Sequence, residues 1–131
     1  MQDDLGKLVL RVTVGGLLLL HGMHKLLNGI EPIKAMVAAH NIPDAVAYGV
    51  YLGEIIGPIM VILGVFSRIG GALIVVNMAM AVTLAGMAQV MAFNPVSGGY
   101  ALELEAFYLF GGLSVMLLGA GRYSIAGGRW N

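Results

Sequence analysis

Hydrophobic and polar positions alternate on a coarse scale along this chain, giving four long apolar runs separated by short polar breaks. The runs extend from Leu5 to Leu27, Ala45 to Phe66, Ile69 to Phe93 and Ala101 to Gly119. Each is close to the roughly 20 apolar residues that a helix needs to cross the hydrocarbon core of a bilayer. The breaks differ in kind. The first contains "EPIKAMVAAHNIP", where Pro32 suits a first helical position and Ile33, Met36 and Val37 share one face, so a short helix lying at the interface is expected. Ser67-Arg68 reads as a tight turn, and "NPVSGG", Asn94 to Gly99, as a turn built from Pro and Gly. The pattern predicts an all-α integral membrane protein. Residues 1–131 form a single transmembrane domain, a four-transmembrane-helix bundle with a short interfacial helix between helices 1 and 2. No internal repeat stands out.

Composition agrees with the pattern. Apolar residues make up 59% of the 131 and charged residues 11%, with a mean hydropathy of +0.89, a balance foreign to soluble domains of this size. Seven basic and seven acidic residues leave the chain neutral, which argues against a nucleic-acid partner. The absence of cysteine excludes a disulfide, a thiol relay, an iron–sulfur cluster or a thiolate-ligated haem built from this chain, so no intrinsic cofactor is expected. The first run is expected to be a retained helix rather than a cleaved signal peptide, because it is long, interrupted by polar groups and lacks a small-residue cleavage site. Four spans put Lys7, Arg68, Arg122 and Arg129 on one side, with Arg11 just inside the first helix; Lys25 and Lys34 fall on the other. The positive-inside bias then makes both termini cytoplasmic.

Polar residues inside the runs carry the candidate chemistry. At about 100° per residue, Arg11, Gly15, Gly22 and Lys25 form one stripe of the first helix, with His21 beside it and His24 turned away. Such a stripe faces neighbouring helices, because a charge in lipid is expensive and glycines admit a close backbone. Arg11 and Lys25 also lie near opposite ends of the helix, where they could snorkel to the surfaces. Glu54, near the middle of the second run, has too short a side chain for that escape and must be neutral, hydrogen-bonded or paired with a cation; a purely structural ion pair with Arg11 or Lys25 is the competing reading. Tyr51 lies one turn away. Pro58, four residues later, removes the hydrogen bond to the Glu54 carbonyl. Gly49, Gly53 and Gly57 form two small-xxx-small steps.

In the third run Asn77 and Thr83 suit interhelical hydrogen bonds, and Met78, Met80, Met87 and Met91 suit adaptable packing. In the fourth, Tyr100, Glu103 and Phe107 share a face that Glu105 does not, and the helix N-terminus favours both acids. By depth, His21, Lys25, Tyr51, Glu54, Tyr100 and Glu103 come together in an apolar surround, the usual form of a small-molecule site.

The segment from Arg11 to Lys25 ending in "LLHGMHKL", the run "GEIIGPIMVILGVFSRIGG" and the tail "LLGAGRYSI" resemble, in order and spacing, the DoxX family of small four-helix membrane proteins. The resemblance covers about Leu5 to Ile125. It implies a bacterial inner-membrane protein of a family named after a subunit linked to thiosulfate:quinone oxidoreductase, with other members associated with quinone handling and oxidative or thiol stress. It carries Arg11, His21, Lys25 and Glu54 over as motif positions; Tyr51, Asn77, Tyr100 and Glu103 rest on helix geometry alone.

Two functions compete. One is a membrane-embedded subunit that binds a quinone or similar apolar molecule and supports an oxidoreductase, with His21, Tyr51 or Tyr100 as donors and Glu54 with His24 passing protons. Electrons would have to come from a redox partner protein, since no dinucleotide fingerprint or opposed haem ligands are present. The other is a non-catalytic binding, transport or assembly subunit. A metal held by His21, His24 and Glu54 or Glu103 is a third idea. Contact with the lipid bilayer, self-association as a homo-oligomer or docking to a redox partner is expected.

Overall fold

A computed structural model describes residues 1–85, 92–93, 95–96 and 98–131. Helix α1, Gln2–Asn28, ends at Gly29, whose φ of 86° lies in the left-handed region. Helix α2, Glu31–Ala39, begins with Pro32 in its first turn, where the missing N–H costs nothing. A second long segment follows in three pitches: a 3₁₀ stretch Asp44–Gly49, a π turn Leu52–Ile56 and helix α3, Gly57–Leu63. Helices α4, Ser67–Ala85, and α5, Glu103–Leu118, follow, and a tail of irregular backbone runs from Gly119 to Asn131. Among the described residues no strand forms; Phe93 and Tyr100 make an isolated antiparallel bridge.

Among the described residues, three stretches are long and apolar enough to cross a membrane: Gln2–Asn28, Asp44–Leu63 and Ser67–Leu84. The fourth expected span is an α-helix of 16 residues, which rises about 24 Å against the roughly 30 Å of a hydrocarbon core. Met87, Met91, Asn94 and Ser97 lie outside the described residues.

The uneven pitch of the second segment has a local cause. Pro58 has no N–H to give to the Glu54 carbonyl, and the preceding amide, Gly57, donates to Leu52 five residues back, widening the turn that contains Glu54. The turn between α3 and α4 falls at Gly64 (φ 73°) and Phe66 (φ 47°), and Ser67 and Arg68 already belong to α4 rather than to the turn.

The main core joins Val14 and Leu18 of α1, Val61 of α3, Ile74 and Met78 of α4, and Tyr108 and Val115 of α5. A smaller cluster, Ile30, Val37, Ala47 and Val50, seats α2 on the start of the second segment. Outward positions such as Leu20, Val76, Phe107, Phe110 and Leu117 are exposed and apolar, a surface suited to lipid rather than water. Glycines set the closest approaches. A Cβ at Gly22 would overlap the backbone of Glu54, Gly57 and Gly70 face one another's carbonyls, and Gly71 meets the Gly112 carbonyl.

These contacts separate two glycines of α1, Gly16 and Gly22. Gly22→Ala is expected to destabilise the protein by about 1–3 kcal/mol, the usual range for overpacking. Gly16, with open space around its would-be Cβ, should accept Ala with no loss. Thermal unfolding of both variants in mild detergent checks the pair; equal midpoints would refute the close α1 contact.

Candidate ligand-binding site

The buried residues of α1 are Arg11, Val14, Gly15, Leu18 and Gly22, so the glycine stripe does face the interior. Its two charged ends do different things. Arg11 is only 1% exposed. Its Nε donates to the Val61 carbonyl at 2.9 Å, Nη1 to those of Ala120 and Tyr123 at 2.5 and 2.8 Å, and Nη2 to that of Ile62 at 3.2 Å. Val61 and Ile62 end α3, where carbonyls lack intrahelical donors and the helix dipole is negative. A planar fork of donors can serve four carbonyls that diverge in this way. Arg68 repeats the device on α5, donating to Met116 and Leu117 at 2.9 and 2.8 Å.

Lys25 lies 14 residues along α1, about 21 Å from Arg11 by helical rise. Its Nζ donates to both carboxylate oxygens of Glu54, at 2.7 and 2.5 Å. The Glu54 side chain is 4% exposed and that of Lys25 29%, so the pair reaches from the interior toward one end of the molecule. Asn77 of α4 adds a hydrogen bond from Nδ2 to Glu54 Oε2 at 3.3 Å. It reaches that oxygen because Gly53 leaves space; a Cβ there would overlap the Asn77 side chain. Three elements are thus tied at one level: α1 through Lys25, the π turn through Glu54 and α4 through Asn77.

Beside this knot lies a cavity of about 530 Å³. Its walls are apolar residues of α2, the second segment and α4, among them Met36, Val50, Leu73, Met80 and Leu84. Among the described residues, three polar side chains line it: Glu54, Asn77 and Glu105. Gly49 is part of the wall, and a Cβ there would meet nothing within 4 Å. Several lining side chains, including Val46, Leu52, Val76 and Met80, are also substantially exposed, so the mouth of the cavity opens sideways through an apolar rim.

The DoxX family model matches residues 6–93, more than half of the chain and the whole of the Arg11, Lys25, Glu54 and Asn77 framework. The chain belongs to the DoxX family. No curated protein and no solved structure matches it. The DoxX match ends before Tyr100, Glu103 and the tail from Leu117 to Ile125.

The structure therefore sorts the residues singled out in the sequence. Lys25, Glu54 and Asn77 touch one another, and the last two line the cavity. Arg11 is far from them. His21 is exposed and sits edge-on to Tyr108, with ring centroids 5.7 Å apart. His24 is exposed and pairs with Asn28 at 3.2 Å. Tyr51 packs against Tyr48 and the α2 cluster, and Tyr100 against Phe93. Glu103 is exposed, with its carboxylate beside Gly99. His21, His24 and Glu54 are not drawn together, and no group of three metal-ligating His, Asp or Glu residues forms among the described residues.

Glu105 and Tyr108 are the two α5 side chains that helix geometry undervalued. They lie three residues apart, and Tyr108 shares the buried face with Gly112 and Val115. Gly112 was the signal that could have identified this face, since small residues mark close helix contacts.

Two measurements probe the charged groups. Arg11→Lys replaces a four-carbonyl fork with one ammonium and should cost several kcal/mol, at about 1–3 per orphaned carbonyl, read as lower resistance to denaturant in detergent. Lys25→Met leaves Glu54 without its cation and should cost about 2–4 kcal/mol. Adding Glu54→Gln should recover most of that loss, and a double variant no more stable than Lys25→Met would deny the coupling.

Proposed function

We propose that this DoxX protein is a quinone-binding subunit of the bacterial inner membrane, holding a quinone or a similar flat apolar molecule in the cavity beside Glu54 and serving an oxidoreductase partner. The cavity is the observation that supports the reading. Its size falls within the range of small-molecule sites, and a few polar groups in an apolar slot are what a quinone ring needs. The Asn77 amide can donate to a quinone carbonyl, and the Glu105 carboxylate can accept from a quinol hydroxyl. The sideways apolar mouth suits a ligand that arrives from the lipid. With no cysteine in the chain, electrons come from a partner, and the part played here is to bind and orient the ring. Self-association and docking to that partner belong to the same reading.

In the membrane arrangement that accompanies it, α5 completes a four-helix bundle as a short fourth span, because Phe107, Phe110 and Leu117 present lipid-compatible surface. Helix α2 lies at the interface over the cavity, and both termini face the cytoplasm. The second reading, a binding, transport or assembly subunit without redox chemistry, draws on the Lys25–Glu54 pair: both carboxylate oxygens are occupied by the lysine, as in a pair that only fixes helix register.

Two variants decide between them. Asn77→Leu should weaken binding of a short-chain quinone analogue about 3- to 10-fold, the value of one hydrogen bond. Gly49→Leu should fill the cavity and abolish binding while leaving thermal stability intact. Titration of the purified protein checks both; wild-type affinity in both variants would remove the quinone from this cavity.

A further inference from the structure

The end of the molecule remote from the cavity gathers most of the cations. Lys7, Arg11, Arg68, Arg122 and Arg129 lie there with only two acids, Asp3 and Asp4. Contacts fix the grouping: Arg11 and Arg68 hold the ends of α3 and α5, Asp4 accepts from the Arg122 amide at 3.0 Å, and the Arg68 amide donates to the Trp130 carbonyl at 3.0 Å. Among the described residues the ion pairs are Lys25–Glu54 and Lys34–Glu31, both toward the other end. None of these five cations has a carboxylate within salt-bridge distance there.

Lys7 and Arg68 line a notch of about 240 Å³. No acidic side chain lines it; the rest of the wall is Leu118, Ser124, Asn131 and the backbone of the glycine-rich tail. Arg68 spends its donors on the carbonyls that end α5 and has no carboxylate partner among the described residues. Gly121, Gly127 and Gly128 also line the notch, and their amides donate to no acceptor among the described residues. Uncommitted backbone N–H groups beside two positive charges make an anion-binding concavity. Around it, Phe66, Ile125 and Trp130 are half-exposed or more, so the anion that fits best carries an apolar tail.

We propose that this notch binds the phosphate of an anionic phospholipid, with Lys7 as its ion-pair partner, the free glycine amides as its hydrogen-bond donors and the acyl chains lying along the exposed apolar rim. The site is independent of the cavity beside Glu54. It anchors the end where α1, α4, α5 and the tail meet, and it makes lipid charge a determinant of how firmly that end is held.

Native mass spectrometry of the detergent-purified full chain tests this with phosphatidylglycerol and phosphatidylcholine in separate titrations. Wild type is expected to retain the anionic lipid preferentially, and Lys7→Gln to lower that retention about fivefold, the contribution of one lysine near an anionic headgroup. Lys7→Arg should keep it. Arg122→Gln removes a charge at the same end but outside the notch and should change little. Equal retention of the two lipids, or an unchanged Lys7→Gln, would overturn the proposal. Displacement of the lipid by an equal concentration of inorganic phosphate would also overturn it, by marking a small-anion site.

Discussion

A carboxylate midway along a membrane helix has to be compensated from within the protein, and the arrangement of this chain follows from how Glu54 is compensated. Lys25 reaches it from α1, and Asn77 reaches it from α4. Both contacts need backbones closer than ordinary side chains permit, which is why Gly22 abuts the Glu54 backbone and Gly53 gives way to Asn77. Pro58 contributes by forcing the wide turn on which Glu54 sits. Removing the charge without removing its partners would strand them, so acid, lysine, glycines and proline form one dependent set.

The two ends of the molecule answer the same problem of buried polarity differently. At one end, two arginines satisfy C-terminal carbonyls of α3 and α5 that lack intrahelical donors. At the other, a lysine and a glutamate satisfy one another and border an apolar space that no described side chain fills. The first device is used up in holding helices together. The second leaves Asn77 and Glu105 lining a cavity, and the proposed ligand site rests on that difference.

Much of this was legible in the sequence because the governing rules are one-dimensional. Helical character and the inward stripe of α1 follow from apolar length and 100° periodicity, and the need for a partner at Glu54 follows from its depth. The three pitches of the second segment were less legible, although Pro58 announced a lost hydrogen bond; how a helix absorbs that loss depends on what packs against it, here Gly22. Grouping His21, Tyr51, Tyr100 and Glu103 with Glu54 by depth failed to specify contact, since residues at one level can lie on different sides of a helix pair. Arg11 illustrates the same point. Its place on the stripe was evident, but its four carbonyl partners come from α3 and a tail more than a hundred residues away, which periodicity within α1 does not encode.

The central claim is that the cavity between α2, the π turn and α4 receives a flat apolar ligand from the bilayer. Photolabelling with an azido-quinone, on protein reconstituted in lipid nanodiscs and mapped by peptide sequencing, tests it most directly. Label is expected on cavity-wall residues such as Met36, Val50, Met80 and Leu84, suppressed by excess unmodified quinone. Label confined to the exposed apolar side chains of α5, Phe107 and Phe110, and insensitive to competition, would contradict it.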